Sequence, residues 1–408
     1  MIPAKAPSIS FKEFIAMSAM ILSLIALSID AILPALPYIT EDLGLDHPNR
    51  AQLLVTMLFL GMGFGQVLFG PLSDSIGRKK AAYYGFCMFF IGSIIAIVTD
   101  DFKILILGRI LQGVGLGGPR TVNIAIVRDQ YSGDQMAKVM SYIMAIFILA
   151  PTVAPAIGQV VLHFGHWRWI FVLILILSVG TLTWFATRQQ ETLEMEHRRP
   201  FSLSGISKGI VLCWKEPSTR GYTLAQGFIM GGFLGYLSSV QQILQIHYKL
   251  GTLFPVAFAC FAIFVGAASL LNGHLVKRMG MAKLCRIAIS FLVLNSAVFL
   301  SIAYLVEVEP HISVVAAYFA GTLFCFGILM GNLNSLAMEP LGRMAGLGAA
   351  VIGFIATIMS VPIGAGIGYL YNNSAIPVAT GFGSLGLVAA IIIFRLSSKE
   401  VRRIKNSA

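Results

Sequence analysis

The stretch GPLSDSIGRKK at residues 70–80 separates two apolar runs, 51–70 and 79–98. A helix needs about 20 apolar residues to cross the hydrocarbon core of a bilayer, and each run has that length. The glycines of the stretch allow a tight turn, and its basic residues are typical of a cytoplasmic loop. We therefore predict a membrane-spanning helical hairpin over residues 51–98.

The composition extends this prediction to the whole chain. Of 408 residues, 57% are hydrophobic and only 12% carry charge, which is about half the charged share of an ordinary soluble domain. So much apolar surface excludes a water-soluble globule and predicts an all-α polytopic membrane protein. Twelve runs are long enough to form transmembrane helices, and they cover residues 13–39, 51–70, 79–98, 102–126, 136–162, 168–188, 220–246, 253–274, 282–305, 312–336, 345–371 and 376–396.

The basic residues predict the orientation of these helices. If the N-terminus is cytoplasmic, the inside segments hold 23 of the 29 Lys and Arg residues, and the outside loops hold only Arg50, Lys103, Arg168 and Lys249. Cytoplasmic loops of membrane proteins carry such an excess of positive charge. Both termini are therefore predicted to be cytoplasmic, and the net charge of +11 reflects topology rather than binding to nucleic acid.

The longest polar stretch divides the chain into two halves. We predict an N-terminal half of six helices at 1–188, a cytoplasmic linker at 189–219, and a C-terminal half of six helices with a short basic tail at 220–408. The stretch GHLVKRMG at 273–280 is a weaker echo of the first hairpin loop and supports an internal repeat. Two parallel halves are typical of transporters whose substrate site lies between them near the membrane midplane.

Two charged residues are predicted to lie deep in membrane helices. Arg109 is about 12 Å from the start of the fourth helix, and Asp30 is about 13 Å from the end of the first, which runs in the opposite direction. Their equal depth allows an ion pair. Intramembrane charges are costly and indicate function, although a static ion pair or an arginine bonded to backbone carbonyls would also explain them. Arg120, farther along the fourth helix, is predicted to snorkel to the cytoplasmic surface.

Enzyme and metal chemistry are not predicted. Residues 113–118 match the dinucleotide fingerprint G-x-G-x-x-G, but no strand precedes them, and their glycines more simply allow close helix packing. The five cysteines include no CxxC pair, and neither H-E-x-x-H nor a G-x-G-D pair of aspartates occurs. We expect no enzymatic activity, no metal and no cofactor, with the proton motive force as the energy source.

Two stretches resemble motifs of the major facilitator superfamily. Residues 70–80 are similar to its loop motif G-x-L-a-D-r-x-G-r-k, and RILQGVG at 109–115 is similar to its fourth-helix motif R-x-x-q-G-x-g. The resemblance implies that Arg109 takes part in proton coupling. It also implies a conformational lock that involves the N-terminus of the eleventh helix and the residues Gly70, Asp74, Gly77, Arg78 and Asp129.

Two further stretches resemble the Bcr/CflA group of drug:proton antiporters within that superfamily. SIDAILPALP at 28–37 is similar to the first helix of the group, whose aspartate is the proposed protonation and substrate site, and Asp30 takes that position. APTVAPAIGQ at 150–159 is similar to the antiporter motif G-P-x-x-G-G of the fifth helix. The resemblance assigns this motif to Pro151, Pro155 and Gly158.

Polar residues in the first, fourth, seventh and tenth helices are weaker candidates, because these helices line the cavity in the superfamily that the chain resembles. Each of them is more often an interhelical hydrogen-bond partner than a substrate contact. The candidate cavity residues are Tyr38, Gln112, Gln226, Tyr236, Gln241, Asn332 and Asn334.

The resemblance implies a monomeric multi-pass protein of the bacterial inner membrane that exports small amphipathic compounds, including antibiotics, in exchange for protons. Its partners would be a small-molecule substrate, protons and the lipid bilayer, with no nucleic acid. Two alternatives remain open at this stage. The substrate could be an endogenous metabolite or a siderophore with an anionic group that Arg109 binds, and proton-coupled uptake uses the same fold.

Overall fold

The computed structural model describes residues 9–305 and 310–407, and these residues form helices and short connections without any strand. The α-helices of the first part are α1 (Phe11–Asp30), α2 (Leu36–Asp42), α3 (Leu53–Ile76), α4 (Arg78–Val98), α5 (Phe102–Gln130), α6 (Gly133–Phe164), α7 (Arg168–Arg188) and α8 (Leu203–Lys215). Those of the second part are α9 (Pro217–Gln241), α10 (Phe254–Met279), α11 (Met281–Leu305), α12 (Ile312–Met338), α13 (Ala345–Tyr369) and α14 (Ile376–Ser407).

Contacts between helices divide the chain into two compact units, Met1–Ile206 and Ser207–Ala408. The division falls inside the stretch predicted as a linker, 189–219, which contains the helix α8 as well as irregular chain. In the second unit, α9 packs against α12, α13 and α14, and most of its residues from Gly221 onward are buried.

Ten helical segments among the described residues are long and apolar enough to cross a membrane. The helices α5 and α9 are also long, with 29 and 25 residues, but they are not in this set. Both are rich in glycine and polar residues, because they lie against other helices of their units rather than presenting a continuous apolar surface. The chain is thus a polytopic all-α membrane protein, while the count of twelve spans and the cytoplasmic termini stay predictions.

The first predicted span, 13–39, is not one continuous helix. It breaks after Asp30, continues as a short 3-10 turn at Leu33–Ala35, and resumes as α2. Pro34 has no N–H and cannot donate to the Asp30 carbonyl, which explains why the α-helical bonding stops there. The break places Asp30 at the last residue of α1, a position that hydropathy alone did not predict.

A glycine seam joins α3, α4 and α5. A Cβ at Gly61 would overlap the Ile110 carbonyl, and a Cβ at Gly113 would overlap the Leu58 carbonyl, so the backbones of α3 and α5 are in direct contact. The close contacts agree with the prediction that glycines 113–118 serve helix packing. The glycines of the seam are Gly61 and Gly65 on α3, Gly85 and Gly92 on α4, and Gly113, Gly115 and Gly117 on α5.

Candidate functional site

Arg109 lies in the interior of the first unit and is fully buried. Asp101 caps the start of α5, and Arg109 follows about two turns later. Its Nε donates to the Leu54 carbonyl at 2.9 Å, its Nη2 to the Ser28 carbonyl at 2.8 Å, and its Nη1 to the Gln112 side-chain oxygen at 2.9 Å. Neutral acceptors on α1, α3 and α5 therefore hold this cation. Two of them are backbone carbonyls, as in the alternative that explains an intramembrane arginine by bonds to carbonyls.

The hydrogen-bond network continues from Arg109 into α4. Gln112 Nε2 donates to the Ser93 hydroxyl at 2.9 Å, and that hydroxyl donates to the Phe89 carbonyl at 2.8 Å. The Arg109 guanidinium also lies 5.7 Å from the centre of the Phe171 ring on α7. Gln112, a candidate cavity residue, is 1% exposed and links two helices through this network.

Asp30 is buried close to Arg109 but does not form an ion pair with it. The side chain is 5% exposed, and no hydrogen bond or ion pair to its carboxylate exists among the residues that the structure describes. The ion pair that equal depth allowed is therefore absent from this structure. On α1 the guanidinium bonds instead to the carbonyl of Ser28, two residues before Asp30.

The predicted antiporter motif packs against the chain break that follows Asp30. Pro151, Pro155 and Gly158 all lie within the continuous helix α6. A Cβ at Gly158 would overlap the carbonyl oxygen of Ala31, so only glycine lets α6 approach the break this closely. The structure thus brings one residue of the motif next to the candidate proton site.

The predicted lock residues cluster at the turn between α3 and α4. Gly77 makes this turn with a φ of 101°, a conformation that favours glycine. The Arg78 guanidinium bonds to Asp74, and its Nε donates to Asp129 at 2.9 Å. Its Nη1 also donates to the hydroxyl of Ser73 at 2.8 Å, and that hydroxyl donates to the Gly70 carbonyl at 2.8 Å.

The sequence analysis missed Glu191, which completes this cluster. Its two carboxylate oxygens accept hydrogen bonds from the backbone amides of Arg78 at 2.9 Å and Lys79 at 3.0 Å, so it caps the start of α4. Next to it, the Thr192 hydroxyl donates to Asp129 at 2.8 Å. No spacing rule predicts a cap from a residue 113 positions away along the chain.

Arg120 does not snorkel toward the surface as predicted. At the level of Arg120, α5 packs on α4, because a Cβ at Gly85 of α4 would lie 2.6 Å from the Pro119 ring of α5. Gly85 is about 10 Å along α4 from its first residue, Arg78. The Arg120 Nη1 lies 4.0 Å from the Met62 sulfur near the middle of α3. The side chain therefore points away from the predicted cytoplasmic surface, in agreement with the tilt of helical Cβ atoms toward the helix N-terminus.

The other candidate cavity residues differ in their surroundings. Asn332 exchanges two hydrogen bonds with Asn272, at 2.7 and 3.2 Å, and so joins α12 to α10. Gln241 donates to the Gln245 side chain at 2.9 Å. Tyr236, Gln226 and Asn334 also lie in the second unit. The ring centres of Tyr236 and Phe319 are 5.1 Å apart, and Asn334 is partly exposed. Gln226 is 8% exposed, and its Oε1 has no partner among the described residues.

Tyr38 lines a small cavity at the end of α2. The cavity has a volume of about 360 Å³ and is also bordered by Glu41, Asp42, His166 and Trp167. Asp42 accepts hydrogen bonds from the indole of Trp167 at 3.0 Å and from Arg168 at 2.9 Å. In the described part of the chain, no group of three or more His, Cys, Asp or Glu side chains is placed to hold a metal ion.

Comparisons with known proteins agree with this architecture. A family model described as Major Facilitator Superfamily matches residues 18–369. The chain is 28% identical to a bicyclomycin resistance protein homolog of Haemophilus influenzae, covering 92% of this chain and 93% of that protein. It is 25% identical to multidrug resistance protein D of Escherichia coli over 88% of each chain. A solved peptide transporter, POT, has a similar fold, with a TM-score of 0.74 at 15% identity over 98% of this chain and 97% of its own.

Proposed function

Because this chain belongs to the major facilitator superfamily, it is a membrane transporter rather than an enzyme, and we propose that it exports small amphipathic compounds in exchange for protons. Relatives named for resistance to bicyclomycin and to multiple drugs support antibiotics as substrates. We further propose that it works in a bacterial inner membrane as a monomer, with both termini in the cytoplasm.

The observation that carries this proposal is the unpaired carboxylate of Asp30. Burying an ionised carboxylate without a counter-ion costs free energy, and a bound proton removes that cost. Asp30 also ends a helix at a break, where a small rearrangement of Ala31 and the following turn would change its access to water. A buried acid at such a position is suited to bind a proton in one conformation and release it in another.

Arg109 provides a means to couple this proton to the rest of the unit. It bonds directly to α1 through the Ser28 carbonyl and reaches α4 through Gln112. When Asp30 loses its proton, a negative charge forms two residues from that carbonyl and attracts the guanidinium. We propose that this attraction shifts α1 relative to α3, and that alternating access follows from the shift, with substrate and proton favouring different conformations.

The energy of one proton is sufficient for export. A proton that moves down a potential of 100 mV releases ~2.3 kcal/mol, which supports roughly fifty-fold accumulation of an uncharged substrate. The cluster of Asp74, Arg78 and Asp129 would act in the same cycle by stabilising one conformation at the cytoplasmic surface. The resemblance of residues 150–159 to the antiporter motif favours export over uptake.

Replacement of Asp30 by asparagine tests this function. In inverted membrane vesicles whose interior is acidified by respiration, addition of chloramphenicol or bicyclomycin should release protons through the wild-type protein, and acridine orange reports that release. We expect Asp30→Asn to abolish the response, because the amide cannot bind and release a proton.

Asp46→Asn is the matched control, since Asp46 is an exposed aspartate paired with Arg50 in the same unit. It should respond as the wild type does. Full proton release by Asp30→Asn with the same compounds would refute the assignment of Asp30.

A further inference from the structure

The helix α5 carries two arginines on one face. Arg120 follows Arg109 by 11 residues, which is three helical turns and about 16 Å. Their surroundings differ, because Arg109 has three oxygen acceptors within 2.9 Å. For Arg120, the sulfur of Met62 at 4.0 Å is the one hydrogen-bond contact in the described part of the chain, and a thioether is a weak acceptor.

The level of the Arg120 guanidinium is that of a membrane interior. Met62 lies 14 residues before the end of α3 at Ile76, about 21 Å along a helix that is itself apolar enough to span the membrane. An arginine at this depth faces the bundle interior or a water-filled cavity rather than lipid. The residue is partly exposed, so it is not sealed inside the packed helices.

The neighbouring groups do not supply the missing acceptors. Asn123, one turn along α5, donates its Nδ2 to the Ser18 carbonyl on α1 at 3.2 Å. The Ser18 hydroxyl is fully buried, and no described residue bonds to it. Among the described residues, the region beside Arg120 therefore contains a second unsatisfied group, the Ser18 hydroxyl, and no carboxylate that pairs with the guanidinium.

A guanidinium has five N–H donors in a planar fork that matches the two oxygens of a carboxylate or sulfonate. A cation without a counter-ion in a membrane interior is costly, and a bound anion removes that cost. We propose that Arg120 binds the anionic group of a substrate, so that the exported compounds include small amphipathic organic anions. This inference rests on the proposed export function and differs from an anion site at Arg109, where three of the five donors already bond to oxygens of the protein.

Equilibrium binding to purified protein tests the proposal without any proton gradient. We would measure the affinities of two probe pairs of nearly equal shape, naphthalene-1-carboxylate with naphthalene-1-carboxamide, and naphthalene-1-sulfonate with naphthalene-1-sulfonamide. We expect the wild type to bind at least one anion about tenfold to a hundredfold more tightly than its neutral counterpart, as hydrogen bonds to a charged group allow.

Three variants locate the preference. Arg120→Gln should bind both members of a pair equally, and Arg120→Lys should keep part of the preference, because it retains the charge without the fork. Arg50→Gln, which removes an exposed arginine of the same unit, should keep all of it. The thermal unfolding midpoint of Arg120→Gln without ligand should equal or exceed that of the wild type, since no internal partner is lost.

The inference is wrong if no anion binds the wild type more tightly than its neutral counterpart, or if Arg120→Gln keeps the preference. A large drop in the unfolding midpoint of Arg120→Gln would also overturn it, because that drop would reveal an internal partner. The export function is tested separately, by comparing the proton release of the wild type and of Asp30→Asn in vesicles. Loss of the anion preference with intact proton release would leave that function standing.

Discussion

Arg78 and Arg109 are both buried, but different chemistry stabilises them. Arg78 bonds to the carboxylates of Asp74 and Asp129, so its charge is neutralised within the cluster. Among the described residues, Arg109 bonds only to oxygens without formal charge, so its positive charge remains in the interior of the unit. Addition or removal of a proton at Asp30 therefore changes the electrostatic environment of Arg109 strongly, whereas the Arg78 cluster is less sensitive to it.

Glu191 provides a prediction at the level of one side chain. Glu191→Ala removes the cap from the first two amides of α4, and we expect the free energy of unfolding to fall by about 1–2 kcal/mol. Glu191→Gln should cost less, because its amide oxygen still accepts one hydrogen bond. Thermal unfolding in detergent measures both effects.

The control for this prediction is Glu194→Gln, in the same connection. Glu194 is exposed, and its carboxylate pairs with His197 at 3.6 Å. Its replacement should leave the unfolding midpoint unchanged. An unchanged midpoint for Glu191→Ala would mean that the cap makes no net contribution to stability.

The sequence identified several important residues but not their partners. Asp30 and Arg109 could be selected because a charge inside an apolar run is rare and its depth follows from helical rise. Their partners depend on how the helices are rotated and where α1 breaks, which one sequence does not determine. The prediction for Arg120 failed for a related reason, since snorkelling was inferred from depth alone and ignored the direction of the side chain.

At the level of helices, the glycine seam determines how closely α3, α4 and α5 approach. Each seam glycine faces a backbone or a ring of the next helix at a distance that excludes a Cβ. Without a hydrophobic driving force inside the bilayer, such close packing is a main source of helix association. The same glycines lower the hydropathy of α5, which explains why this helix is not among the ten apolar candidates.

Gly113→Ala tests the seam. Its Cβ would overlap the Leu58 carbonyl, so we expect a loss of about 1–3 kcal/mol in the free energy of unfolding. Gly180→Ala on α7 is the control, since nothing lies within 4 Å of its Cβ position, and it should cause no loss. Equal midpoints for the two variants, measured by thermal unfolding, would argue against backbone contact between α3 and α5.

Most helices could be predicted from apolar runs bounded by charges and turn residues, including α5 and α9, whose mean hydropathy is low. The break after Asp30 was missed, although Pro34 and Pro37 were visible in the sequence. Prolines in membrane helices are often accommodated without a break, so their presence does not decide the outcome. The helix α8 was missed because its 13 residues are too short for a membrane span, and its signal is an amphipathic period rather than a continuous apolar run.

At the level of the whole molecule, the asymmetry of positive charge predicts that both termini are cytoplasmic. A green fluorescent protein fused after Ala408 should therefore fluoresce in bacterial cells, and alkaline phosphatase fused there should be inactive. The same phosphatase fused after Lys249, in a predicted outside loop, should be active. Active phosphatase at the C-terminus would contradict the predicted cytoplasmic location of that terminus.

The glycine seam also has a mechanical consequence for the first unit. Helices whose backbones touch have no compressible side-chain layer between them, so α3, α4 and α5 form a stiff block. Between α1 and α2, the segment around Ala31 lacks continuous helical bonding, so the chain bends there more easily than within either helix. In the proposed mechanism, proton binding at Asp30 would bend the chain around Ala31 and shift α1 relative to the rigid block of α3, α4 and α5.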